Sequence, residues 1–209
     1  MKRFGTILFS LLLFSHIYGQ KRDPRAVGLV GATTTIAEGI YAVGYQFGAI
    51  IGIFAMAFNN AYAPYLYEQL SNITNEKKIK LVKFTYLYFI GILFFAIFLS
   101  YVFSLIIPYF LGESFHEASK FIIWIALAHA FQGMYLMVVN YIYYTKKTYV
   151  ISIVTFSMSI IHVALSYSLI HIYGVIGAAY ATIISFFITF IWVWIASNKV
   201  YSMPWKLNV

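Results

Sequence analysis

The string "HAFQGMYLMVVN" places His129, Gln132, Leu136 and Asn140 on one helical face by three- and four-residue spacing. Three of these four side chains are polar, inside a run that is largely apolar. An imidazole titrates near neutral pH, and amides both donate and accept. Hydrocarbon rejects such a face, so it must look inward, toward neighbouring helices or a watery cavity. His162 lies in the middle of the next apolar run and is a candidate for the same lining. Earlier in the chain, Gln46 and Asn60 share one helix side at 100° per residue, and Asn59 points elsewhere.

The chemistry these residues offer is binding rather than bond making. No Asp or Glu stands in the middle of an apolar run, since Glu38 and Glu68 lie near run ends. A carboxylate site for a proton or sodium ion is therefore not visible. There is no cysteine, and no metal-ligand spacing, nucleophile constellation or phosphate loop is present. The segment "GESFHE", with Glu113, His116 and Glu117, is the one place a membrane-embedded transferase could keep catalytic groups. Its ordinary reading is a solvated loop. The expectation is a protein that is not an enzyme and needs no cofactor.

The elements that position these groups follow from composition. The chain is 62% hydrophobic and 10% charged, with mean hydropathy +0.82. A soluble domain carries about 25% charged residues. The fold class expected is all-α, a polytopic transmembrane bundle of about six helices. A β-barrel would show alternating runs of roughly ten residues, whereas the apolar runs here are continuous. Five spans cover about Gly39 to Pro64, Val82 to Ile107, Ala118 to Tyr144, Tyr149 to Ile170 and Gly174 to Ala196. Each crosses a hydrocarbon core of about 30 Å. A sixth run, Phe4 to Tyr18, is shorter; it has the outline of a signal peptide or of a short membrane helix.

The net charge of +8 does not indicate nucleic acid, because the basic residues sit in short loops between spans. Lys77, Lys78, Lys80 and Lys83 follow the first span, and Lys146 and Lys147 follow the third. Lys199 and Lys206 are in the tail, while "GESFHE" and "HIYG" have no Lys or Arg. Basic and non-basic loops alternate, so the positive-inside rule puts the lysine loops and the C-terminus in the cytoplasm. Tyr141, Tyr143, Tyr144, Trp192 and Trp194 lie near span ends, as interfacial aromatics do. Pro64 either marks the end of the first span or kinks a helix that continues through "YLYEQL".

Small residues predict where helices meet. Gly44, Gly48 and Gly52 repeat every fourth residue and form one small face, which lets a second helix approach closely. Gly174 and Gly177, with Ala178 and Ala181, make a second such face on the last span.

Several strings in order carry a family resemblance. "EGIYAVGYQFGAIIGIFAMAFNNAYAPYLYEQL" resembles the eighth helix of the Wzx-type oligosaccharide flippases, a polysaccharide-biosynthesis branch of the MOP superfamily that also holds the MATE exporters. "LGESFHEASKFIIWIALAHAFQGMYLMVVNYIYYTKKT" is similar to the tenth helix and its approach, and "LSYSLIHIYGVIGAAYATIIS" to the junction that follows. His171 stands where a proline is usual and Ser166 where asparagine is usual. The resemblance covers about Glu38 to Lys206 and implies one lobe, the second, of a two-lobed transporter.

It further implies flipping of an undecaprenyl-diphosphate-linked oligosaccharide (lipopolysaccharide or O-antigen type) across the bacterial inner membrane. The cavity-lining candidates are then Gln46, Asn60, His129, Gln132, Asn140 and His162. Lys77, Lys78, Lys80, Lys83, Lys146 and Lys147 are the candidates to attract the lipid diphosphate, beside the plain reading that they set orientation. MATE-type efflux of small molecules is the alternative within the superfamily. Residues 1–37 do not resemble the family's seventh helix, so a truncated or frame-shifted copy is expected. Its partners are the lipid bilayer, the lipid-linked oligosaccharide, and either a missing N-terminal lobe or a second copy of the chain.

Overall fold

A computed structural model describes residues 24–110 and 113–206, with side chains from Glu38 onward except at 108, 110 and 113–115. The short apolar run at Phe4 to Tyr18 lies outside the described residues. The chain divides into two units, Met1–Ala37 and Glu38–Val209. The helices are α1 (Pro24–Ser71), α2 (Asn75–Phe110), α3 (Ser119–Tyr144), α4 (Tyr149–Tyr173) and α5 (Ile176–Val200), with a 3-10 turn over Glu113–Ala118 before α3. Among the described residues there is no strand.

Among the described residues five helices are long and apolar enough to cross a membrane, and they expose many large apolar side chains. Along α2, Leu87, Ile90 and Phe94 are each about two-thirds exposed. Water would not tolerate such a surface, whereas lipid requires it. The chain is a multi-pass, all-α membrane bundle.

In the second unit α3 is the central helix. Fifteen of its 26 residues are buried, against two of 25 in α4. The glycine face of α1 packs on α3. A Cβ added at Gly44 would stand 2.7 Å from the Ala118 carbonyl oxygen, and one at Gly48 would stand 2.6 Å from Ile125 Cβ. The same face continues at 3–4 spacing through Ala55, Tyr62 and Leu66, all buried. Gly133 of α3 lies where three helices meet, against Ile92 of α2 and Ala55 of α1.

The sequence leaves Pro64 open, and two other expectations need correction. α1 runs on to Ser71 past the proline, the second of the two alternatives. Its ring lacks a donor for the carbonyl of Asn60, four residues back, and packing of α1 holds the helix together across that gap. Gly174 is not on a packing face of α5. It is the turn residue after α4, at φ +68, and nothing within 4 Å would meet a Cβ there. Its amide closes the helix by donating to the Ile170 carbonyl at 2.8 Å. Gly177, by contrast, is on α5, and a Cβ there would collide with the Leu169 carbonyl.

Tyr141 and Trp194 are the second correction, since both point inward. Tyr141 is 1% exposed and stacks on Tyr201. Trp194 packs edge-on against Phe89 and Trp205. The segment after α5 folds back onto the bundle, and Tyr86 of α2 donates its hydroxyl proton to the Trp205 carbonyl at 2.8 Å. Tyr143 and Trp192 are exposed, as interfacial aromatics are.

Candidate functional site

Among the described residues, three polar clusters interrupt the apolar bundle. The first joins α1 and α3. Asn140 Nδ2 donates to Asn59 Oδ1 at 2.8 Å, and Tyr67 Oη donates to Asn140 Oδ1 at 3.4 Å. Asn140 is buried, so these bonds satisfy an amide that would otherwise cost free energy in an apolar setting.

The second is centred on His129, also buried. Its Nδ1 lies 2.7 Å from Gln132 Oε1, one turn on. With Gln132 Oε1 as the acceptor, the proton of this contact is on Nδ1. The rings of Tyr45 and Phe186 stand edge-on at 5.9 and 5.7 Å. Gly52 makes the room: a Cβ there would be 2.6 Å from Nδ1. Nε2 of His129 is buried without a protein partner, which leaves one acceptor for a ligand or water.

The third cluster joins α4 and α5. His162 Nδ1 lies 2.9 Å from Ser185 Oγ, and its Nε2 lies 3.5 Å from Ser166 Oγ. His162 and Ser166 belong to a longer feature that the sequence reading missed. Ser152, Thr155, Ser159, His162 and Ser166 recur at 3, 4, 3 and 4 residues and so share one face of α4. The first three are exposed and the last two half-buried. The stripe extends about 21 Å along the helix. The signal was present in "SIVTFSMSIIHVALS", where the hydroxyl spacing matches that of "HAFQGMYLMVVN".

The remaining candidates divide. Asn59, not Asn60, makes the amide bond to α3. Gln46 and Asn60 are both exposed on another side of α1 and belong to none of the three clusters. Lys77 and Lys80 line one cleft with Tyr62, Tyr65, Gln69, Leu81 and Phe84. Lys78 turns away, with its ammonium 5.7 Å from the Tyr201 ring centre. Lys83, Lys146 and Lys147 are exposed. In the 3-10 turn, Glu117 pairs with Lys120 at 2.7 Å, both side chains well exposed, and His116 is exposed. That segment has the character of a solvated loop.

No family model matches the chain, and no solved structure matches it. Two curated proteins of Haemophilus influenzae do. An "Uncharacterized membrane protein" is 33% identical over 119 residues, which is 54% of this chain and 28% of the relative. "Lsg locus putative protein 1" is 30% identical over 129 residues, 60% of this chain and 31% of the relative. The matched region thus spans less than a third of either relative.

Proposed function

We propose that this chain is one lobe of a transporter that flips an undecaprenyl-diphosphate-linked oligosaccharide to the outer leaflet of the bacterial cytoplasmic membrane, for surface polysaccharide assembly. The observation that carries the reading is the polar stripe on α4. Five hydrogen-bonding side chains on one face, three of them exposed, belong beside water or a hydroxyl-rich cargo. Ser159 satisfies its own proton on the Thr155 carbonyl at 2.9 Å, and His162 is tied to Ser185 and Ser166, so the exposed hydroxyls at Ser152 and Thr155 carry the reading.

Gln46 and Asn60 add exposed amides on α1. Sugars are read by such neutral donors and acceptors, and no covalent step is needed for alternating access around a hydrophilic cavity. The family resemblance of residues 38–206 supports the same cargo class. The lobe that closes the cavity is either an N-terminal counterpart or a second copy of the chain. In this reading the lysine loops and the C-terminus face the cytoplasm.

The test is genetic and chemical. A strain lacking the gene should accumulate lipid-linked oligosaccharide in the cytoplasmic leaflet, and complementation should clear it. Normal delivery of that lipid to the outer leaflet in the deletion strain would refute the proposal.

A further inference from the structure

The cleft between the end of α1 and the start of α2 pairs two of the loop lysines with an aromatic wall. Its volume is about 380 Å3, and its wall is formed by Tyr62, Tyr65 and Gln69 from α1 and by Lys77, Lys80, Leu81 and Phe84 from α2. The lining holds two ammonium groups and no carboxylate. Lys77 gives one proton to the Asn72 carbonyl at 3.1 Å, which steadies the side chain and leaves its other donors free. Lys80 is three residues on, on the same side of α2.

Below the lysines the wall becomes aromatic. Tyr62 and Phe84 stack at 5.4 Å, and Phe58 stacks on Tyr88 at 4.6 Å. Phe58 and Phe84 are exposed along this seam. The cationic mouth thus stands where the α2 span begins, beside the exposed apolar rings of Phe84 and Phe58. A free anion would use only the mouth. A lipid with a charged headgroup and acyl chains uses both.

We propose that this cleft is a binding site for an anionic phospholipid, its phosphate held between Lys77 and Lys80, its headgroup beside Tyr65 and Gln69, and a chain lying along Phe84 and Phe58. The site does not depend on the identity of any transported cargo. It separates Lys77 and Lys80 in role from Lys78, which faces Tyr201.

The test uses a photo-crosslinkable phosphatidylglycerol probe with the purified full chain in phosphatidylcholine nanodiscs, and peptide mapping of the adduct. Labelling should fall on the segment Tyr62 to Phe84, should compete with unlabelled phosphatidylglycerol, and should weaken about fivefold per lysine removed in Lys77→Gln and Lys80→Gln. Lys77→Arg with Lys80→Arg should retain it, which separates loss of charge from loss of fold. Three outcomes would overturn the site. They are equal labelling by a phosphatidylcholine probe, undiminished labelling of the double Gln variant, and competition by inorganic phosphate or a polyprenyl diphosphate as strong as that by phosphatidylglycerol.

Discussion

Asn59 and Asn140 form the polar contact that ties α1 to α3 inside the bundle. Interhelical hydrogen bonds in membranes contribute roughly 0.6 kcal/mol on average and about 1.7 at most. A double-mutant cycle with Asn59→Leu and Asn140→Leu should give a coupling in that range by unfolding in detergent, and additive effects would show that the bond contributes nothing. Gly48 makes a sharper prediction. A leucine there must displace Ile125 and the Ala126 backbone, so Gly48→Leu should destabilise the fold by about 1–3 kcal/mol. Gly91, in α2, has open space around it, and Gly91→Ala should be neutral or stabilising by up to about 1 kcal/mol.

Residues were the scale least legible beforehand. The glycine face was readable from spacing, but extending it from Gly52 by three and four residues leads to Ala55 and Asn59, not Asn60. Which of two adjacent amides meets a neighbour depends on where α3 lies, and that is a tertiary fact.

The helices themselves were legible, because a run of apolar residues about 30 Å long has few fates other than a membrane span. Their ends were less so. Pro64 costs a continuing helix about 3 kcal/mol, so local preference favours a stop, and the helix continues because packing of α1 outweighs that cost. Gly174 read as a packing residue because small residues signal both close approach and positive φ, and the sequence does not distinguish them. The inward turn of Tyr141 and Trp194 depends on the tail returning over the bundle.

The orientation proposed for these elements is testable in a chain that has no native cysteine. Single cysteines at Asn72 and Ser202 should react with an impermeant maleimide only in inverted vesicles, and one at Tyr173 only in right-side-out spheroplasts. The reverse pattern would place the lysine loops outside and overturn the orientation.

At the scale of the molecule, α4 carries a polar strip along about 21 Å of its length, beside an apolar strip at Ile153, Phe156 and Ile160 that is exposed as well. Of its 25 residues only Val154 and Met158 are buried within the chain. In the proposed transporter, a cavity shared with a second lobe lies against that polar strip. The sequence carried the stripe openly, but serine and threonine are so often self-bonded in membrane helices that hydroxyls draw less attention than amides. The measurement that tests this most directly is cysteine accessibility along α4 in membranes from cells expressing the protein. Ser152→Cys, Thr155→Cys, Ser159→Cys and Ser166→Cys should react with a small water-soluble thiol reagent, while Ile153→Cys, Phe156→Cys and Ile160→Cys should remain unreactive. Equal inertness on both faces would mean that α4 meets no aqueous path, and would contradict the transport account.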